Sequence, residues 1–369
     1  MAIFTDISPD PQPNPRRRWI GWTILGIGLV GVVTVALIPA PFVIEQPGPV
    51  YNTLGDVTID GEEVPMIQIP NETTYETGGA LDMLTVSIRG NRQELPSWLE
   101  IASAYFDPSK AVVPVDLIYP AGVSLEDSNT QGRVDMENSQ KEAVAAALTE
   151  LGYTFESTVR VVESSEGSPS DGVLAAGDVL LSVNGVSFSD VTGLRAQIAA
   201  NGVDKAAIVD ITRDGEPKTV SITPTMAAGA DPVPIIGIIA GGDYDFPIDV
   251  RIQLENVGGP SAGMMFALGI IDKLTEGELN GGENIAGTGT ISGSGEVGPI
   301  GGIQQKLYGA RSAGASWFLA PASNCNEVTG HIPDGLTVFS IATLDEALDA
   351  LTAIESGTST SSLPTCPVS

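Results

Sequence analysis

Histidine is almost absent from this 369-residue sequence, where His331 stands alone. One histidine cannot build a two-His or three-His zinc site, nor the H-E-x-x-H helix. A Ser-His-Asp triad would have to use His331 itself, and the surrounding GHIPDG reads as a surface loop. Cysteine is nearly as scarce. Cys325 and Cys366 are too few for an iron–sulfur cluster or an all-Cys zinc site, so no metal and no cofactor is expected. Basic residues number 17 against 46 acidic ones, a net charge of −29. The basic face that a nucleic-acid binder needs is missing. There is no Gly-Lys pair, hence no G-x-x-x-x-G-K-[ST] and no P-loop for ATP. What is plentiful is apolar. A hydrophobic content of 42% excludes global disorder, and the length suffices for two domains.

Charge also vanishes locally. From Trp19 to Ile44 the run WIGWTILGIGLVGVVTVALIPAPFVI spans 26 residues without a charged side chain. That is long enough to cross a bilayer as a helix. Arg16, Arg17 and Arg18 precede it and Glu45 follows it. The positive-inside rule then expects residues 1–18 in the cytoplasm and the remainder outside, anchored in the cell membrane by a single pass. The other reading is a cleaved signal peptide, but the apolar run exceeds the usual h-region. A cut after Ala40 would also leave Pro41 at the new terminus. Beyond residue 18 the chain carries 14 basic and 44 acidic residues, an acidic exterior part that stays soluble.

The exterior part divides by pattern. Residues 45–150 mix short strands (VTID, VPMIQI, LDMLTVSIRG) with two helices. SWLEIASAYFDP is one, closed by Pro108. NSQKEAVAAALTEL, 138–151, is the other, capped by Asn138 or Ser139 with Ala143, Ala147, Leu148 and Leu151 on its apolar face. Residues 151–226 are denser. STVRVVE reads as a strand, VLLSVNGVSF as a hairpin turning at Asn184-Gly185, VTGLRAQIAANG as a helix and AAIVDITRDGEPKTVSITP as a second hairpin. Residues 227–234 read as a linker and 356–369 as a tail.

Ser168-Pro169, Gly177-Asp178, Asn184-Gly185 and the terminal hairpin together resemble a PDZ domain of the bacterial, protease-associated kind. That resemblance implies an edge strand to which an extended peptide adds. The edge is expected at Thr158, Val159, Arg160, Val161 and Val162, with the helix at 191–200 as the second wall, and an adaptor module with an occluded groove is the alternative.

Residues 235–355 carry the chemistry. IQLENVGGPSAGMMFALGIIDKL places a glycine turn and then a helix with Ser261 at its start. Glycines permit close backbone approach, and helix-start N–H groups can stabilise an oxyanion. Taken alone, Ser261 also reads as a plain N-cap. Downstream, Lys306 lies on a helix with Ile303, Leu307 and Ala310 beside it, a setting compatible with burial.

GPSAG around Ser261, Ile-Ala-x-Thr-Gly at 285–289 and PIGGIQQKL at 299–307 together closely resemble the proteolytic domain of Lon proteases. The order anchor, PDZ, Lon-type domain is similar throughout to membrane-anchored, PDZ-containing Lon-like serine proteases. The resemblance implies an α+β fold and a Ser–Lys dyad. Ser261 would be the nucleophile, Lys306 the general base and Thr288 the residue that orients the lysine. Gly259 and Ser261 N–H groups are the candidate oxyanion donors. A free hydroxyl is a weak nucleophile and an ordinary lysine is protonated at neutral pH, so burial of Lys306 is required. The carboxylate-poor stretch from Ile285 to Ser294 is expected to shield it. Gly258 departs from the acidic residue that many ATP-dependent members carry three positions before the serine. The resemblance also leaves room for residues 45–120 to pack with the protease domain and for six-membered rings. Both cysteines would lie in an oxidising exterior, and a Cys325–Cys366 disulfide is expected, with two free thiols as the alternative.

The expectation is therefore an ATP-independent extracytoplasmic serine endopeptidase acting on membrane-proximal or secreted polypeptides. A non-catalytic PDZ scaffold with a silent Lon-type fold is the alternative.

Overall fold

The computed structural model describes residues 15–120, 124–227, 232–357 and 360–367, with the side chains of residues 15–18, Gly21 and Val32 also outside the description. Most of the predicted tail 1–18 and part of the predicted linker 227–234 therefore fall outside it. The fold is mixed α+β.

Helix α1, Pro15–Leu37, is the first described element. The predicted span at 19–44 is corrected at its end. Pro39 and Pro41 cannot continue a helix, and Phe42-Val43-Ile44 enters a strand instead, with Val43 fully buried. Among the described residues no helix is long and apolar enough to cross a membrane.

Strand β1, Phe42–Asn52, runs antiparallel to β2, Ala80–Arg89, with a register shift between Pro47 and Val50. Helix α2, Trp98–Tyr105, starts on a capping box in which Ser97 and Glu100 bond each other's backbone N–H. Strand β3, Ala111–Pro114, covers the outer edge of β1. The next helix, α3, is Leu125–Glu150, far longer than the predicted 138–151. Ser124 caps it and Glu126 and Asp127 sit in its first turn, so Asn138 and Ser139 are interior positions and not caps.

The second unit is built from β4, Ser157–Ser164; β5, Val179–Val183; helix α4, Val191–Asn201; β6, Ala207–Arg213; and β7, Glu216–Ile222. Asn184 and Gly185 both have positive φ, as a type I′ turn requires, and so do Asp214 and Gly215. Strand β8, Ile238–Tyr244, completes the sheet in the order β7-β6-β5-β4-β8. The predicted linker 227–234 thus lies, in sequence, between two strands of this one sheet, β7 and β8.

The chain then returns to the first sheet. Helix α5, Gly263–Leu274, leads to β9, Asn284–Gly287; α6, Ile303–Ser312; β10, Trp317–Pro321; β11, Thr337–Ile341; and α7, Leu344–Glu355. The first sheet is ordered β11-β10-β9-β2-β1-β3, so strands from residues 42–114 and 284–341 share one ladder. Helix α5 is buried all round, with Met264, Met265, Phe266 and Leu268 fully enclosed between this sheet and α3. Cys325 and Cys366 are disulfide-bonded. The bond holds the last described residues against β11, where the Cys366 N–H donates to the Val338 carbonyl.

Candidate active site

Three residues from three separate elements meet beside α5. Ser261 precedes the helix, whose N-cap is Ala262 with no side-chain capping bond. The Ser261 hydroxyl is therefore free of the capping role and lies 2.8 Å from Lys306 Nζ. Lys306 Nζ also donates to Thr288 Oγ1 at 2.9 Å. Thr288 Oγ1 in turn donates to the Ser261 carbonyl at 2.9 Å. The Thr288 N–H donates to the Leu319 carbonyl of β10, and the Gly289 N–H to the Ser261 carbonyl. The threonine is thus fixed at the end of β9 and the serine is pinned from two directions.

Lys306 reaches this point because α6 begins sharply. Gly302 caps α6 in the left-handed region at φ 66°, and a Cβ there would lie 2.6 Å from Val86 Cγ2. Only glycine meets both conditions. Ile303, Leu307 and Ala310 are fully buried around the lysine stem. Lys306 is only 2% exposed, and burial draws its ammonium down to about 7. Desolvation is the single cause of this shift, with no carboxylate acting against it.

A cleft of about 360 Å³ opens over Ser261, lined by Tyr51, Met83, Val86, Met136 and Val257. A larger hollow of about 460 Å³ between α2 and β1 holds Arg89, Glu100 and Lys110 but no activated nucleophile, so volume alone does not mark the site. His331 is exposed in a loop.

Two sequence-based assignments change. The Gly259 N–H, a candidate oxyanion donor, donates instead to the Gly132 carbonyl of α3 at 2.8 Å. In this arrangement it is not available to a substrate. The peptide-binding edge Thr158, Val159, Arg160, Val161 and Val162 is not an edge. It pairs with β8 along Ser157–Ser164. The outer strand is β8, which comes from beyond the predicted linker, so adjacency in sequence pointed to the wrong strand.

Sequence reasoning also missed α3 as a contact to the site. Gly258 accommodates it, since a Cβ there would sit 3.2 Å from the Gly132 backbone. The Ser139 hydroxyl donates to the Pro260 carbonyl at 2.9 Å. The one visible signal was Gly132 within a helical pattern, a position that costs roughly 1 kcal/mol against alanine and calls for a packing reason.

With this geometry described, comparison with known proteins defines the class. Residues 255–353 match the Lon protease (S16) C-terminal proteolytic domain. The chain carries a Lon-type proteolytic domain. More particularly, residues 122–223 match a PDZ domain, so the two are joined in one chain. Lon protease 2 of Herpetosiphon aurantiacus is 36% identical over 108 residues, covering 27% of this chain and 13% of that protein. Lon protease of Clostridium beijerinckii is 23% identical over 300 residues, covering 80% of this chain and 31% of that protein. The chain therefore spans less than a third of the length of either relative. Among solved structures, the PDZ domain of the SdrC-like protein from Listeria monocytogenes is 23% identical, covers 24% of this chain and 90% of its own, and has a TM-score of 0.22.

Proposed function

We propose that the chain is a membrane-anchored, ATP-independent serine endopeptidase working outside the cytoplasm, with Ser261 as nucleophile and Lys306 as general base. The observation that carries this reading is the buried Lys306 amine, 2.8 Å from Ser261 Oγ and 2.9 Å from Thr288 Oγ1. The Thr288 hydroxyl spends its own proton on the Ser261 carbonyl, so it accepts one N–H from the neutral amine. That orients the nitrogen lone pair toward Ser261 Oγ. The amine takes the hydroxyl proton as Oγ attacks a peptide carbonyl, then returns it to the departing amine nitrogen. Water, activated by the same amine, hydrolyses the acyl-enzyme. The Ser261 N–H, at the positive end of α5, is one candidate donor to the tetrahedral oxyanion.

The anchor is supported by the exposure of Trp19, Trp22, Ile24, Ile27 and Leu29 along α1, directly after Arg16–Arg18. Aromatics and cations at the start of an apolar helix suit a membrane interface. ATP independence is supported by the missing P-loop motif. The PDZ domain supports a role in selecting or admitting polypeptide substrates. The test compares the purified chain with Ser261→Ala on a casein-like substrate. The variant is expected to lose cleavage, and equal cleavage by both would refute the assigned nucleophile.

A further inference from the structure

Helix α3 faces two ways. Its Gly132 and Ser139, seven residues apart on one face, hold the loop before the nucleophile through the Gly259 N–H and the Pro260 carbonyl. The neighbouring face holds β8. Asn138 Nδ2 donates to the Ala240 carbonyl at 2.8 Å, and the Gly242 N–H donates to Asn138 Oδ1 at 3.2 Å. Lys141 Nζ donates to the Gly242 carbonyl at 2.9 Å. β8 is the last strand of its sheet, and its other edge is occupied by β4.

The side-chain amide of Asn138 offers one donor and one acceptor to residues 240 and 242. In a strand ladder the same two bonds, to the C=O of residue i and from the N–H of residue i+2, are made by the backbone of an added strand. Asn138 thus stands where a peptide backbone would pair. It is only 6% exposed, too enclosed for a peptide to pair beside it.

We propose that β8 is the strand-addition edge of the PDZ domain, closed by α3 through Asn138 and Lys141. An extended polypeptide segment opens it by displacing that helix. The partner is a non-acidic strand, because the protein's own net charge of −29 repels acidic chains. Displacement of α3 from β8 also loosens its grip on the nucleophile loop. Gly259 then regains an unpaired N–H two residues before Ser261, where it can serve the oxyanion. Peptide capture and proteolysis are coupled through one helix. The catalytic half of this proposal rests on the protease reading above, whereas the edge and its latch do not.

The test uses the full chain carrying Ser261→Ala, so that the probe is not consumed. The probe is a fluorescein-labelled decapeptide of alternating Thr and Val with a free C-terminus. Asn138→Ala removes the mimic while keeping a strong helix former. Lys141→Gln, at a half-buried position, loosens the latch without burying a cavity. Each is expected to tighten probe binding, by roughly tenfold for Asn138→Ala, since hydrogen bonds of ordinary strength no longer compete. Hydrogen exchange over residues 256–262 is expected to quicken when the probe binds. With Ser261 restored, saturating probe is expected to raise casein cleavage by about 10²-fold, the lower end of what one gained oxyanion donor is worth. Equal binding to the parent and both variants would overturn the proposal, as would no binding to any of them or unchanged exchange at 256–262. Binding and exchange as expected with no cleavage at all would uphold the latch and sink the protease reading instead.

Discussion

The cleft and the junction between the two units each bury an ionisable group, and they do so with opposite sign. In the cleft, Lys306 has hydroxyls for neighbours and is drawn down from 10.5 to about 7 by burial alone. At the junction, Glu142 of α3 is 6% exposed and is pushed up from 4.5 to about 7. Burial is the largest cause there too, with the Asp190 carboxylate adding to it and Thr192 and Arg195 acting against it. One site favours the neutral form of an amine, as the proposed general base requires. The other keeps an acid close to neutral where two units pack. Each therefore titrates at about the same pH, but with contrary effects on stability. Between about 7 and 10.5 the unfolded chain holds a proton on Lys306 that the folded chain lacks, so that contribution to stability grows as pH rises. Between 4.5 and about 7 the folded chain holds a proton on Glu142 that the unfolded chain lacks, so that contribution shrinks as pH rises. Together the two contribute least near pH 7, where the lysine begins to be usable as a base.

The strongest break in this comparison is at the lysine. Lys306→Met is expected to lower kcat/KM by a factor on the order of 10⁴ or more, because members of a catalytic unit do not act additively. Its stability above pH 7 should equal or exceed that of the parent, since an apolar stem replaces a desolvated amine. In the parent, kcat/KM should climb with pH through about 7 as Lys306 loses its proton. A pH–rate profile flat from 6 to 9 would show that Lys306 is not the base.

The disulfide separates the two regions by mechanics instead of charge. It lies wholly in the protease unit, with Cys325 and Cys366 separated by 41 residues. The pair Cys325→Ser and Cys366→Ser should cost that unit about 3–4 kcal/mol in the chain-entropy account. Hydrogen exchange should report the loss in β10, β11 and α7 and leave β4–β7 unchanged. Equal loosening in both units would mean that they unfold as one.

What the sequence disclosed follows the same division. Ser261, Thr288 and Lys306 were legible because each sits in a motif whose glycines and apolar neighbours are themselves the reason for its position. The apolar residues beside Lys306 did signal burial. The junction was illegible. Asn138 and Ser139 look like caps until Ser124 is seen to start the helix thirteen residues or so earlier. Glu142 carries no local sign of burial, because the groups that face it come from α4 and from Tyr244 of β8, about 50 and 100 residues away in sequence. The strand that closes the PDZ sheet lies beyond a segment with every local mark of a linker. Local pattern reports what a residue can do, whereas burial between units depends on contacts that no local window contains.

Glu142→Gln offers the finest cut. The Glu142 carboxylate accepts from the Thr192 N–H at 3.1 Å and from the Thr192 hydroxyl at 2.8 Å. The groups that face it are Asp190, Thr192 and Arg195 on or beside α4 and the buried Tyr244 hydroxyl of β8. That hydroxyl has no hydrogen-bond partner among the described residues. Asp190 is itself held by the Gly193 and Gly293 N–H groups, so it stays in place as a fixed negative neighbour. Glutamine keeps one acceptor for Thr192 and removes the charge that Asp190 opposes. Near pH 4.5 the variant and the parent should have similar stability, because the parent acid is then protonated. As pH rises through about 7, the parent should lose on the order of 2–3 kcal/mol from this group. The variant should not, and so it should be the more stable protein at pH 8. Thermal melts at both pH values decide the matter. A variant less stable than the parent at pH 8 would mean that the ionised carboxylate, and not its neutral form, binds the two units together.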